Sequence, residues 1–483
     1  MDSHVIAHLK RLLELLEGDP DFAREAREDP PARQKLLNEA GLDFAAAELA
    51  PFWALLTLKG ISQQDFDCQR EEFREHPLLA LWRDWSRKQA AWQEREISAW
   101  VPWGDPRVSA WRARQLARVK SDVIADGRLT YSPLFAFELS LGCSAQCWFC
   151  AFDPPRLQGV FAYAPPNREL WRDLLETAWE LFGPGCRSAT CYHGTEPTDN
   201  PDYLRFLDDF REVFGNYPQT TTARPLKNLE WTRRLLTLRT SDPGGVDRFS
   251  VLGPQALRNI HRTFTPEDLL AVNLVIHQAG ATDKALSGRA IARAAARPAE
   301  PPADARAERF HVALPPPLTI ECVCGFLVNM VDRSIRLVSP CNASPLWPRG
   351  YQVHAEGTFR DAAEFRGFIL QSVADHMPAH LGPTDRLAFR RGLRYERHDD
   401  GFSLIARYRR HDLRGDPRLG LLGDLLLGGA RTVGGAIDTL VQAGDPLFAL
   451  AAVSWIDRLY QGGLLAEPSQ SIDTRVYTMG AAT

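Results

Sequence analysis

The stretch Leu134-Phe135-Ala136-Phe137-Glu138-Leu139-Ser140-Leu141-Gly142-Cys143-Ser144-Ala145-Gln146-Cys147-Trp148-Phe149-Cys150 decides how this chain is read. Residues 134–141 have the near-continuous apolar character of a buried strand. The loop after them carries cysteines in the spacing CxxxCxxC, with the aromatic Phe149 ahead of the last. Nine cysteines in 483 residues make each position cysteine with a chance of about 0.019, so about 0.003 such triplets are expected by accident. Three thiolates on one short loop suit three irons of a [4Fe–4S] cluster and leave the fourth iron open to a small molecule. A structural zinc site would need a fourth Cys or His, for which the chain offers distant candidates. Three buried thiols with no metal are the remaining reading.

Downstream, strand-like and helical patterns alternate. A helix at 168–182 precedes the strand-like segment 188–194 and a helix at 201–215. A short strand at 220–223 leads to a helix at 229–238. A strand at 248–252 precedes a helix at 253–263, and another strand follows at 270–276. Such alternation implies βα units around a parallel sheet or barrel, with ligands at the loops after the strands. Residues 280–308 are rich in Ala, Arg and Pro. They read as a surface helix, with Arg289, Arg293 and Arg297 on a solvated face, running into a linker. Two strands around Asp332-Arg333-Ser334 follow, the first placed to close the barrel. With a two-residue turn at 332–333, Cys324 would pair with Cys341. Cys322 and Cys324 would share one strand face.

The flanks differ in character. Residues 1–130 are helical in period, from Val5, Ile6, Leu9, Leu12, Leu13 and Leu16 to the Trp-rich pattern at 77–98 and a further helix at 106–125. The tryptophans read as packing between helices. Residues 351–483 hold a hairpin signal at Asp399-Asp400-Gly401 and then three amphipathic helices near 416–428, 432–443 and 446–462. The expected division is therefore 1–130, 131–350 and 351–483. Lys and Arg number 57 against 61 Asp and Glu, a formal charge of -4 that gives no basic footprint for nucleic acid. No apolar run reaches membrane-spanning length. An odd cysteine count without an export signal fits a reducing cytoplasm. Cys68, Cys186 and Cys191 read as structural.

The cysteine loop resembles the signature of the radical S-adenosylmethionine (SAM) superfamily. His193-Gly194-Thr195-Glu196-Pro197, after the second strand, resembles the Gly-Gly-Glu-Pro segment of that superfamily, with Thr195 at the second glycine. The resemblance implies an α/β fold built on a partial (β/α)6 barrel, with a [4Fe–4S] cluster on Cys143, Cys147 and Cys150. It implies SAM held by Gly194, Thr195, Glu196 and Pro197, with Phe149 by the adenine and Ser250 near the methionine carboxylate. An electron donor such as a flavodoxin or ferredoxin is implied too. The cofactor would carry the difficult chemistry while the protein aims the radical and excludes water.

The segment from Gly325 to Tyr351, with the overall layout, resembles the radical SAM peptide epimerases of the polytheonamide type. These convert L- to D-residues in ribosomally made precursor peptides. That resemblance implies Cα hydrogen abstraction and return of hydrogen from a cysteine: Cys341 first, then Cys324, then Cys322. The C-terminal region is similar to winged-helix modules that bind a leader peptide by strand addition. The alternatives are a radical SAM enzyme forming thioether or carbon–carbon crosslinks, and a non-catalytic iron–sulfur or zinc peptide-binding protein.

Overall fold

A computed structural model describes residues 3–54, 75–123, 132–240, 245–277, 287–291, 322–442 and 446–468. Cys68, Arg293, Arg297 and most of the 280–308 linker lie outside them.

The fold is mixed α/β. Strand β1 (Phe135–Glu138) lies beside β7 (Gly325–Asn329) in parallel, with Phe135 opposite Phe326 and Glu138 opposite Asn329. Thus the first of the two strands around Asp332-Arg333-Ser334 pairs with the strand that opens the α/β region. Strands β8 (Ser334–Pro340) and β9 (Tyr351–Thr358) add antiparallel to it, giving the order β1-β7-β8-β9. On the other side of β1, the 188–194 segment contributes a parallel bridge, Ala136 to Thr190, rather than a full strand. A second parallel sheet holds β4 (Thr221–Thr222), β5 (Asp247–Val251) and β6 (Val272–Ile276). The expected strand 134–141 breaks at Leu139. Its end becomes β2 (Ser140–Leu141), which pairs antiparallel with β3 (Gly159–Val160).

The register of β1 follows from its sequence. Phe135 and Phe137 face outward and are fully buried under helices α7 (Pro165–Phe182), α8 (Tyr203–Phe214) and α11 (Ala362–His376). Ala136 faces inward with Val323, Leu327, Val338 and Tyr351. A strand covered on both faces needs the continuous apolar run seen in the sequence. Each buried ring adds on the order of 2 kcal/mol of hydrophobic stabilisation.

The β7–β8 turn departs from the expected pairing. Asn329 lies opposite Ser334, and its Oδ1 accepts the Val331 N–H at 2.9 Å. Arg333 takes a φ of +60°. The turn is therefore longer than two residues. Gly325 faces Val338, so Cys341 lies beyond the level of Cys324 and the two do not pair.

Helices α1 (Ser3–Gly18), α2 (Pro20–Glu28), α3 (Arg33–Glu39), α4 (Ala50–Ala54), α5 (Pro77–Ala99) and α6 (Pro106–Asp122) form the N-terminal part. Trp111 on α6 is buried, but Trp82, Trp85 and Trp92 on α5 are only half-buried. Helix α1 sits against α10 (Pro254–Thr263), which follows β5 and the short α9 (Leu229–Thr240) of the second sheet. Arg258 on α10 grips Asp19 with two hydrogen bonds of 2.6 Å.

The C-terminal part is an antiparallel sheet of β10 (Arg394–His398), β11 (Gly401–Ile405) and β12 (Arg410–Arg414). Helices α12 (Arg418–Gly428), α13 (Val433–Gln442) and α14 (Pro446–Gln461) follow it. The hairpin turns at Asp399-Asp400 as its sequence requires. Gly401 has a φ of +146°, and a Cβ there would lie 2.0 Å from the Leu413 carbonyl oxygen.

Candidate functional site

The cysteine loop lies over the C-terminal ends of the parallel segments, where α/β folds place ligands. Contacts to several of those ends define its place. Phe149 stacks on His277, just past β6, with ring centroids 3.6 Å apart and planes 9° from parallel. His277 in turn donates its backbone N–H to the Val251 carbonyl of β5. Ser144 donates its N–H to Asp199 at 2.8 Å and its hydroxyl to the same carboxylate. Arg224, just past β4, donates to the Ser144 hydroxyl at 3.0 Å and carbonyl at 2.8 Å. Lys227 completes this corner on Asp199 at 3.1 Å. Phe152 lies 4.1 Å from the His193 ring.

The loop backbone is shaped to hold the thiols. Gly142 takes a φ of +80°, and a Cβ there would lie 2.3 Å from the Arg156 carbonyl oxygen. Gln146 also has positive φ, and its side-chain amide donates back to the Cys143 carbonyl at 2.7 Å. The N–H groups of Ala145 and Gln146 point at the Cys143 sulfur. Cys143 and Cys150 are close enough to Cys147 to raise its titration. Burial, then Cys143 and Cys150, push the Cys147 thiol up to about 12. Three thiols clustered on one short loop, with backbone N–H groups aimed at the Cys143 sulfur, suit a cation or cluster bound through sulfur. The donor set therefore fits an iron–sulfur cluster.

The 193–197 segment comes to this same place. Gly194 donates its N–H to Glu138 at 2.8 Å, and a Cβ at Gly194 would lie 3.3 Å from the Glu138 Oε1. The Glu196 carboxylate accepts from Thr198, from the Thr222 hydroxyl at 2.5 Å and from the Ala223 N–H at 2.9 Å. Thr195 is half-buried beside them, and Pro197 is buried. Glu196 lies within electrostatic reach of Cys143 and Cys147. Ser250 lies farther along β5. Phe249 and Val251 point into the apolar cluster under α10, so Ser250 and Arg248 occupy the opposite face, opposite Val275 and Asn273 of β6.

Several contributors escaped the sequence reading. Glu138, inside an apolar strand, is held by Gly194 and by Asn329 at 3.1 Å. Burial alone would raise its carboxyl, but His193, Asn329 and the Gly194 N–H bring it below the usual range. A carboxylate within a buried strand is a legible signal. Arg224, Asp199 and His277 carried none beyond lying just after strand-like segments. Burial lowers the His277 imidazole to about 4. Arg289 corrects its expectation: its guanidinium reaches the cysteine loop instead of solvent.

The remaining cysteines separate. Cys186 and Cys191 are buried in the main core, as expected of structural thiols. Cys324 is also fully buried there, whereas Cys322 is half-exposed and within electrostatic reach of Tyr192. Tyr192 donates its hydroxyl to Gln219 at 2.6 Å and accepts from Thr221 at 2.7 Å. Cys341 is half-exposed at the end of β8, its N–H donating to the Gly350 carbonyl.

A second cluster of metal-capable side chains joins His4 and His8 of α1 to Glu267. His8 Nδ1 accepts the Asp43 N–H at 3.1 Å, so its Nε2 carries the proton and faces Glu267. This trio reads as a hydrogen-bonded latch between α1 and the loop after α10.

Comparison with known proteins adds lineage. A crystal structure of BtrN in complex with AdoMet and 2-DOIA aligns over 50% of this chain and 81% of its own. Its TM-score is 0.29 and its sequence identity 12%, too loose to assign a fold. Residues 387–463 match the family model described as the protein y4wI C-terminal domain. That span coincides with the C-terminal sheet and helices. The chain is 34% identical over 469 residues to uncharacterized protein y4wI of Sinorhizobium fredii (strain NBRC 101917 / NGR234), covering 96% of this chain and 87% of that protein. The chain belongs to the y4wI family.

Proposed function

We propose that the chain is a radical SAM enzyme that epimerises residues of a ribosomally made precursor peptide. One observation carries the cofactor part of this reading: the CxxxCxxC loop and the Gly194–Pro197 segment meet over the ends of the parallel strands, with Glu196 in electrostatic reach of two of the thiols. Cys143, Cys147 and Cys150 would hold the cluster. Gly194, Thr195, Glu196, Pro197 and Ser250 would hold SAM, with Phe149 against its adenine. When bound there, a reduced [4Fe–4S] cluster with SAM supplies a 5′-deoxyadenosyl radical able to abstract hydrogen.

The chain's own residues then have three tasks. Phe152 and Tyr351 cover the inner face of the four-stranded sheet against water. The saturated Glu196 fixes the 193–197 turn, so its backbone does not rearrange when the ligand binds. A half-exposed thiol, Cys341 or Cys322, returns hydrogen to the opposite face of the planar Cα radical. An S–H bond is weak enough to do so, and the thiyl radical left behind is restored by a second electron from the donor and a solvent proton. The C-terminal sheet and helices, read as a winged-helix-like module, would take the leader peptide by strand addition at a sheet edge. A flavodoxin or ferredoxin would deliver the electron.

The test is a mass spectrum of a candidate precursor peptide, taken from any short open reading frame that neighbours this gene, after anaerobic reaction in D2O. A solvent-exchanged thiol leaves about one extra mass unit per converted residue, with D-residues after hydrolysis. Cys341→Ala or Cys322→Ala should abolish that label. Loss of hydrogen mass would instead mark a crosslink.

A further inference from the structure

The segment 287–291 lies on the cysteine loop from outside. Gly288 takes a φ of +53°, and a Cβ there would lie 2.3 Å from the Ala151 carbonyl oxygen and 2.8 Å from that of Cys150. This close approach lets the backbone N–H of Arg289 donate to the Cys150 carbonyl at 3.0 Å. The Gly288 N–H donates in the other direction, to the Pro348 carbonyl at 2.9 Å. The Arg289 side chain then spans the loop. Its Nε pairs with Asp153 at 2.7 Å, one Nη donates to the Pro154 carbonyl at 2.5 Å, and the other reaches the Cys147 carbonyl at 3.4 Å. One residue therefore touches the carbonyls of two of the three cysteines and the Asp153 turn, itself held at positive φ. The planar fork of an arginine makes these bonds together, which a lysine cannot.

We propose that Arg289 is a positioning residue for the iron–sulfur cluster: it clamps the cysteine loop and places one positive charge beside the cluster, which stabilises the reduced form. The inference rests on the cluster reading above. The outer shell of a metal site orients its ligands and tunes their electronics, and its loss typically costs 10–100-fold in metal affinity or activity.

The experiment uses the full chain, reconstituted anaerobically with iron and sulfide. The readouts are iron retained under a chelator challenge and the midpoint potential followed by electron paramagnetic resonance. Arg289→Gln should lose iron at least several-fold faster than wild type and show a more negative midpoint. Arg289→Lys should also lose iron faster, yet keep a midpoint nearer wild type, because the charge survives and the fork does not. Arg289→Gln matching wild type in both readouts overturns the proposal, as does a fall in thermal stability with an unchanged midpoint and unchanged retention. If Arg289→Gln does not fold, Asp153→Asn decides: faster iron loss supports the clamp, and unchanged loss overturns it. A wild-type chain that takes up no cluster defeats the cluster reading itself. A wild-type cluster with indifferent variants defeats only the clamp.

Discussion

Arginines do opposite work in two regions of this molecule. Where α6 meets the C-terminal part, Glu467 is 1% exposed and its carboxylate is saturated. Gln115 donates to it at 3.0 Å, Tyr460 at 2.8 Å, and Arg114 and Arg118 lie at 3.4 and 3.2 Å. Arg118 also ties the Gly463 and Leu465 carbonyls, and Arg390 grips Asp122 nearby. At the cysteine loop, Arg224 and Arg289 bind the loop's backbone carbonyls, the Ser144 hydroxyl and the Asp153 carboxylate. The first network spends its charges on itself and holds two parts of the chain together. The second shapes the loop that carries the three clustered thiols, and a cluster of perturbed groups held this way is a candidate site.

Removing a thiol should sharpen this contrast most. Cys147→Ala should reduce iron uptake and SAM cleavage to background, while the melting temperature of the metal-free protein stays near wild type. Retained iron in that variant would break the assignment. Glu467→Ala should do the reverse. Stripping the partner from buried arginines costs about 3–5 kcal/mol, readable by denaturant unfolding, with normal iron uptake by the folded fraction. Gly288→Ala comes next. It forces a left-handed alanine, at about 1–2 kcal/mol, against the Ala151 carbonyl, and should show as faster iron loss more than as unfolding.

The smallest effect is a pH slope. His277 falls to about 4 and His354 to about 3, both because burial disfavours the cation. Their folded values lie below the ordinary 6.5. Their contribution is therefore complete above about 6.5 and is lost as the pH falls towards 4 and below. His277→Phe should flatten the upper part of that loss in thermal melts taken between pH 7 and 4. An unchanged slope would mean that the imidazole is solvated.

Much of this was legible in the sequence because it was local. The apolar run at 134–141 gave the central strand, and the CxxxCxxC spacing gave the loop. Asp399-Asp400-Gly401 gave its hairpin, since only a glycine tolerates the Leu413 carbonyl so near. The helix bounds expected within the described residues came within three residues. What failed depended on distant partners. The register of Cys324 and Cys341 turned on an Asn329 side chain capping a longer turn. Arg289 looked like one of three solvated arginines because its carbonyl acceptors lie more than a hundred residues away. The Trp pattern of α5 suggested a core helix, yet Leu79 is its one buried residue among those described.

The most direct test of the central claim is anaerobic reconstitution followed by iron and sulfide analysis and an assay for 5′-deoxyadenosine with SAM and a reductant. A cluster on Cys143, Cys147 and Cys150 predicts about four irons per chain. It also predicts 5′-deoxyadenosine release that disappears in Cys147→Ala. A chain that binds about one zinc, takes up no iron and leaves SAM intact would contradict it.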